Sequence, residues 1–386
     1  MPRLIDKSLH DYNVLICHTQ EELAERSAEW DRLLVSSVQR SPMLSYAWVS
    51  AHFQHRLKPD DKWFVVFVTD GSKMLGVLPI VVKPNTIFGL QLPIAGPPSD
   101  SHTLGGDLLV DADADDHVIN LLINTAEKNI PGRYFLKFSR IVENSPTVQS
   151  PSCRKGRVVF LESAGIGYYY PVAGNFDDYY SSMSKNMRGN LRRAENNLSQ
   201  LHKLEVRVLE NDQANADFLD KFMPVESCGW KGRVGSAISS NPELEAFYRT
   251  LTSRLQKSGM LRWESLYADN VLIATNLSIR FGEIVVIWKL GYDESLKKYS
   301  PGGLLFKKVL EQAYPNPSIS EFNLMSDTAW QEKWNPGIRN YSNLLIFPLR
   351  PVPLLLVYLP LALKQRIRRI PFLLGAIRFI KSHFSK

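Results

Sequence analysis

The chain has 386 residues, 44% hydrophobic and 22% charged, a composition that excludes a disordered or fibrous protein and leaves room for two folded domains. Its 46 Lys and Arg exceed 39 Asp and Glu for a net charge of +7, yet ten of the basic residues follow Glu332 and no acid does. Residues 1–332 therefore hold 36 basic against 39 acidic residues, net −3, which disfavours a nucleic-acid footprint over the whole body, makes DNA an unexpected partner and favours a local basic tail.

Three distant cysteines, Cys17, Cys153 and Cys228, argue against a disulfide framework and fit a reducing, cytoplasmic compartment. The N-terminal residues are polar, with no apolar h-region of a signal peptide. The longest apolar stretch, "VPLLLVYLPLAL" at 352–363, is too short to span a bilayer and is broken by Pro353 and Pro360.

In chain order, residues 19–37 and 41–56 have helical spacing. Residues 63–83 read as a hairpin around Asp70-Gly71, and an acidic start at 111–116 leads into a helix. Residues 157–172 read as a strand and a loop. A second half repeats the order: helix 176–200, strand 204–210, helix 242–259, three strands over 261–292, a helix from Ser300, then strands at 319–325 and 343–349. Helices first, then a meander, then strand–helix–strand is an α+β order, and the best division falls at Gly165–Asp177.

The join "SPGG" at 300–303 follows the β-rich run "IVVIWKL" at 284–290. Ser300 suits an N-cap and Pro301 the first helical position, so the join could be a tight helix entry and nothing more. Two glycines in a first turn nonetheless cost roughly 1 kcal/mol each against alanine. They also let a ligand reach the backbone, where first-turn N–H groups and the helix dipole attract phosphate. No Walker lysine follows, and no Gly-x-Gly-x-x-Gly is present.

Several stretches carry a resemblance: "SKNMRGNLRRAENNL" (184–198), "CGWKGRVGSAI" (228–238), "FYRTL" (247–251) and "YADNVLIATNLSIRFGEIVVIWKLGYDESLKKYSPGGLL" (267–305). Together they are similar to the BioF/CelD-like acetyltransferases of the GNAT superfamily, which are related to the Fem-type aminoacyl transferases. The resemblance implies two tandem GNAT-like lobes with mixed sheets flanked by helices. A degenerate lobe would occupy 1–165 and an acyltransferase lobe 166–350, followed by a basic amphipathic tail at 351–386. It implies acetyl-CoA or another acyl-CoA as co-substrate, no metal, and direct transfer to an amine or hydroxyl of a sugar nucleotide or envelope polysaccharide precursor. It places CoA against Trp288, Lys289, Leu290, Lys298, Ser300, Gly302, Gly303 and Leu304. The Fem branch, which uses charged tRNA, is the alternative; so is an inactive membrane-surface scaffold.

The remaining candidates each read two ways. Lys185, Arg188 and Arg192 share a helical face, with Arg193 close by. They could receive a phosphate-bearing acceptor or simply be solvated. Trp230 and Lys231 could wall an acceptor pocket or pack in a core. Tyr292 and Asp293 follow the cofactor strand and could exchange protons with the amine or the thiolate, although Asp293 could instead cap a turn. In "NLMSDTAWQEKW" (323–334), Asn323, Ser326 and Trp330-Gln331 stand where the family often has Asp, Gly and Tyr-Lys. The lysine is displaced to Lys333 or lost, and Asp327 is the nearest remaining carboxylate. His52 and His55 lack a third metal ligand, and the 111–116 acids suit a helix N-terminus better than a metal loop. The tail 361–386 alternates basic and apolar residues, which suits either an anionic membrane surface, on the inner face of the cytoplasmic membrane, or a helix packed on the body.

Overall fold

A computed structural model describes residues 12–39, 41–71, 73–132 and 134–368. The tail residues 369–386 singled out above lie outside this range. The described chain builds one 13-stranded sheet. Twelve of its strands lie along one path: β1 Tyr12–Cys17, β2 Lys62–Asp70, β3 Lys73–Lys83, β4 Ile94–Gly96, β5 Phe135–Val142, β6 Arg157–Pro171, β7 Leu204–Glu210, β8 Leu261–Ala268, β9 Val271–Phe281, β10 Ile284–Tyr292, β11 Glu321–Asn323 and β12 Gly337–Pro348. Their order is β1-β2-β3-β4-β5-β12-β6-β11-β10-β9-β8-β7.

Two pairs in this path are parallel, β4 with β5 and β10 with β11. One lies in each half, at an equivalent step of the order. Parallel neighbours need a crossover between them. Helix α3 (Asp116–Asn129) lies in the first crossover and helix α7 (Pro301–Ala313) in the second. Asp115 caps α3 by accepting the N–H groups of His117 and Val118, which accounts for part of the acidic run.

The predicted 165/166 division falls inside β6, which runs unbroken from 157 to 171. The last strand, β12, inserts between β5 and β6 and pairs with both. The halves therefore share backbone hydrogen bonds rather than a flexible link.

On one face a single apolar cluster crosses both halves. It gathers Trp30 of α1 (Ser27–Ser36) and Trp48 of α2 (Tyr46–His55) with Phe222 of α5 (Leu219–Ser227) and Phe247 of α6 (Pro242–Lys257). On the other face the clusters are separate, α3 over the first half and α4 (Lys185–Leu201) with α7 over the second. Trp48 is fully buried, edge-on to Trp288 at 5.1 Å and to Phe247 at 6.2 Å, and its Nε1 donates to Thr103 Oγ1. Trp48→Ala is expected to cost about 3–5 kcal/mol, read as a lower urea midpoint at unchanged slope.

Candidate functional site

Strand β10 pairs with β11 only through Ile284–Val286 against Glu321–Asn323. It then continues alone on that side to Tyr292, so the two parallel strands part. On its other side it stays paired with β9, but the register slips: Lys289 opposes Leu277 and Ile287 opposes Ser278. Trp288 is thus the extra residue of a bulge, which re-aims its neighbours. Ile287 and Leu290 line a groove beside α4 and α7, whereas Trp288 and Lys289 both turn to the opposite side of the strand, toward α6.

Asp293 ends the strand by accepting the Ser295 N–H at 2.9 Å, capping the short turn Glu294–Tyr299. Ser300 then adopts a left-handed conformation (φ +48°), and α7 begins at Pro301. The expected N-cap is not formed, because in this conformation the Ser300 side chain does not reach the first-turn N–H groups. Leu304 N–H bonds the Ser300 carbonyl, so the N–H groups of Gly302 and Gly303 remain the orphan donors of the first turn. A Cβ on Gly303 would lie 2.6 Å from Ser300 Oγ, so glycine there is imposed by the turn. A Cβ on Gly302 would meet only the Tyr292 ring at 3.5 Å, so that glycine keeps the groove wall bare.

The groove encloses about 770 Å³. Its apolar walls come from Met187 and Leu191 of α4, Ile287 of β10, Phe306 of α7, and Trp330 and Trp334. Arg193, Lys297, Lys298 and Lys333 supply positive charge.

Of the residues singled out in the sequence, Leu290, Tyr292, Lys298, Ser300, Gly302, Gly303 and Lys333 line this groove. Others are corrected by the structure. Leu304 is 1% exposed and points into the core beneath the first turn. The bulge carries the Trp288 and Lys289 side chains to the far side. Asp293 is committed to its cap, and Asp327 is exposed outside the groove. Lys185, Arg188 and Arg192 do share a face, but burial of Leu191, Ala194 and Leu198 turns that face away from the groove. Arg193, next to the apolar stripe, is the arginine that reaches it. Lys231 is tied to Glu226 at 3.0 Å and to the Leu290 carbonyl at 2.9 Å, behind β10. Trp230 opens the short helix Trp230–Arg233, and its side chain lies outside the described residues.

Across β10 from the groove, the halves meet over a buried polar cluster that the sequence did not announce. Tyr248 Oη accepts from Trp288 Nε1 at 3.0 Å and lies 3.3 Å from His102 Nδ1. Lys289 Nζ stands 5.6 Å from the centre of the Tyr248 ring, beside the Glu226–Lys231 pair. Burial, then the Lys231 charge, lowers the Lys289 ammonium to about 8, while Glu226 opposes the shift. Burial, then the Lys289 charge, lowers His102 to about 4. Burial likewise lowers His52, whose Nδ1 lies 3.0 Å from Thr103 Oγ1, to about 4. His55 bonds separately to Thr250. These contacts join residues far apart in sequence, so only pairing of the histidines with distant hydroxyls could have marked them.

His52 and His102 are folded in as neutral rings, whereas in the unfolded chain they titrate near 6.5. Their contribution to stability is complete above that pH and is lost as pH falls toward 4. His102→Gln is expected to flatten this loss, measured as the change in urea midpoint between about pH 7 and about pH 5.

Residues 185–332 match the acetyltransferase (GNAT) domain family. No curated protein sequence matches the chain. Among solved structures, FemX superimposes with a TM-score of 0.59 at 9% identity, covering 89% of this chain and 99% of its own. A conserved protein of unknown function from Bacteroides thetaiotaomicron gives 0.52 at 12% identity, covering 86% and 100%. The C-terminal domain of an Agrobacterium fabrum protein described as a lysylphosphatidylglycerol synthetase gives 0.50 at 12%, covering 85% and 92%. At these identities the likeness is one of fold.

Proposed function

We propose that this chain, whose residues 185–332 match the acetyltransferase (GNAT) domain family, moves an acyl group, acetyl in the first instance, from coenzyme A to an amine or hydroxyl of an anionic glycan precursor. The observation that carries this reading is the bare first turn of α7, with Gly302 and Gly303 facing a groove of about 770 Å³. Two orphan N–H groups at a helix N-terminus suit a pyrophosphate, with Lys297 and Lys298 beside them. The apolar walls suit the pantetheine arm, and the gap where β10 leaves β11 suits the thioester.

The acceptor would approach from the far side of β10, where Lys289 stands between the halves. Its nitrogen or oxygen attacks the thioester carbonyl carbon. Backbone N–H groups of β10 at the bulge would polarise that carbonyl. The C–S bond then breaks. Neutral Lys289 takes the acceptor's proton, and Tyr292 on the groove wall gives one to the thiolate.

Calorimetric titration with acetyl-CoA and with CoA tests the groove. Micromolar binding is expected, and Gly302→Val, which meets only the Tyr292 ring, should weaken it by about tenfold or more while leaving the melting temperature unchanged. Lack of binding to either ligand, with salt-sensitive binding of charged tRNA instead, would replace this reading with aminoacyl transfer.

Lys289 makes a further test once an acceptor is in hand. The rate should rise with pH up to about 8 as Lys289 loses its proton. Lys289→Met should cut kcat/KM by roughly 10²-fold and remove that rise.

A further inference from the structure

We propose that the helical segment after β12 and the hairpin Thr86–Gln91 form a docking surface for an anionic lipid bilayer. Residues 351–368 are continuously helical, with a wider π turn at Leu354–Tyr358 just before Pro360. The inner face packs Val357, Tyr358 and Leu361 onto Phe160 and Phe347 of the sheet, and Gln365 Nε2 donates to the Leu161 carbonyl at 3.1 Å. The helix is therefore anchored. The outer face is not polar. Leu355, Leu359 and Leu363, four residues apart and so on one stripe, are 60%, 55% and 58% exposed. Lys364 and Arg366 are exposed beside them.

The hairpin is an independent observation. Ile87 packs on the same apolar cluster as the helix, and at the tip Phe88 is 89% exposed with φ +49°. A bulky residue in the left-handed region is disfavoured, and two-residue turns of this kind usually use Asn or Asp before Gly. Phe88 thus bears a conformational cost and gains no burial in the folded chain. Such a cost points to a role outside the fold.

The chemistry selects the occupant. A leucine stripe with basic neighbours on an anchored helix, and a separate aromatic tip, fit insertion into the headgroup layer rather than a crossing. No helix of the described residues is long and apolar enough to cross a membrane. On the helix itself the exposed charges are Lys364 and Arg366, and the sequence that follows it carries only basic charge, which complements an anionic surface rather than an uncharged one.

The test is co-sedimentation of the full chain with vesicles of phosphatidylcholine alone and of phosphatidylcholine mixed with phosphatidylglycerol. Binding is expected to the anionic vesicles and to be weakened by salt. The triple variant Leu355→Glu/Leu359→Glu/Leu363→Glu and the single variant Phe88→Ser should each lower the bound fraction by about tenfold or more. Both should melt close to wild type, since the altered side chains already lie mostly in water. Three outcomes would overturn the proposal: no binding to anionic vesicles, equal binding to neutral ones, or variants that bind as wild type. A self-associated species in vesicle-free solution, dissolved by the triple variant and without affinity for vesicles, would overturn it in favour of a protein interface. Neither result depends on CoA binding.

Discussion

The two sides of β10 carry different chemistry, and the extra residue at Trp288 is what separates them. Regular alternation would send Lys289 toward α7 and the groove. The bulge sends Trp288 and Lys289 together to the inter-half side and leaves Ile287 and Leu290 on the groove side. The parting of β10 from β11 opens the sheet beside the same residues. In the proposed reaction a thioester bound on one side would be reached by a nucleophile from the other.

Such an opening weakens a sheet locally, because ladder hydrogen bonds are given up where the strands part. The remedy lies next door. β12 returns from the C-terminal half to pair with β5 and β6, and the Arg140 guanidinium donates to the carbonyls of Ala164, Ile166 and Met325. The apolar cluster through Trp48, Phe247 and Trp263 joins the halves on one face. The polar cluster around Tyr248 therefore sits where the halves are tied together. Its groups are held at fixed distances, as low-pKa histidines and a cation with a lowered pKa require.

The sequence conveyed the elements better than their assembly. Local signals marked the hairpin around Gly71, the three strands over 261–292 and the helix entered at Pro301. The phosphate-cradle reading of Gly302 and Gly303 rested on the same local chemistry, and both glycines do line the groove. The failures were matters of phase and distance. A single inserted residue reverses which side of a strand a side chain occupies, and the apolar run at 284–290 shows no alternation that would reveal it. Helical spacing grouped Lys185, Arg188 and Arg192 correctly, but the buried stripe of α4 decides which side faces the groove, and that stripe passes beside Arg193. The division at 165/166 falls within β6, where the φ of +86° at Gly165 is accommodated within the strand, beside the Arg140 guanidinium.

Backbone strain separates fold from function in this chain. Among the described residues, Asn211, Asp269, Asn270 and Asn335 have positive φ, and their side chains tolerate it. Arg140, Ser300, Met325 and Phe88 are less suited to it. Arg140 and Met325 are linked to each other, Arg140 Nη2 donating to the Met325 carbonyl at 2.7 Å, so their cost is offset within the brace between the halves. Ser300 turns the chain so that α7 meets the groove with an uncapped first turn. Phe88 has no such return, since its ring lies in water and its turn would close with a small polar residue. A strained, exposed aromatic beside an anchored helix with exposed leucines is best explained by a surface that both elements meet together.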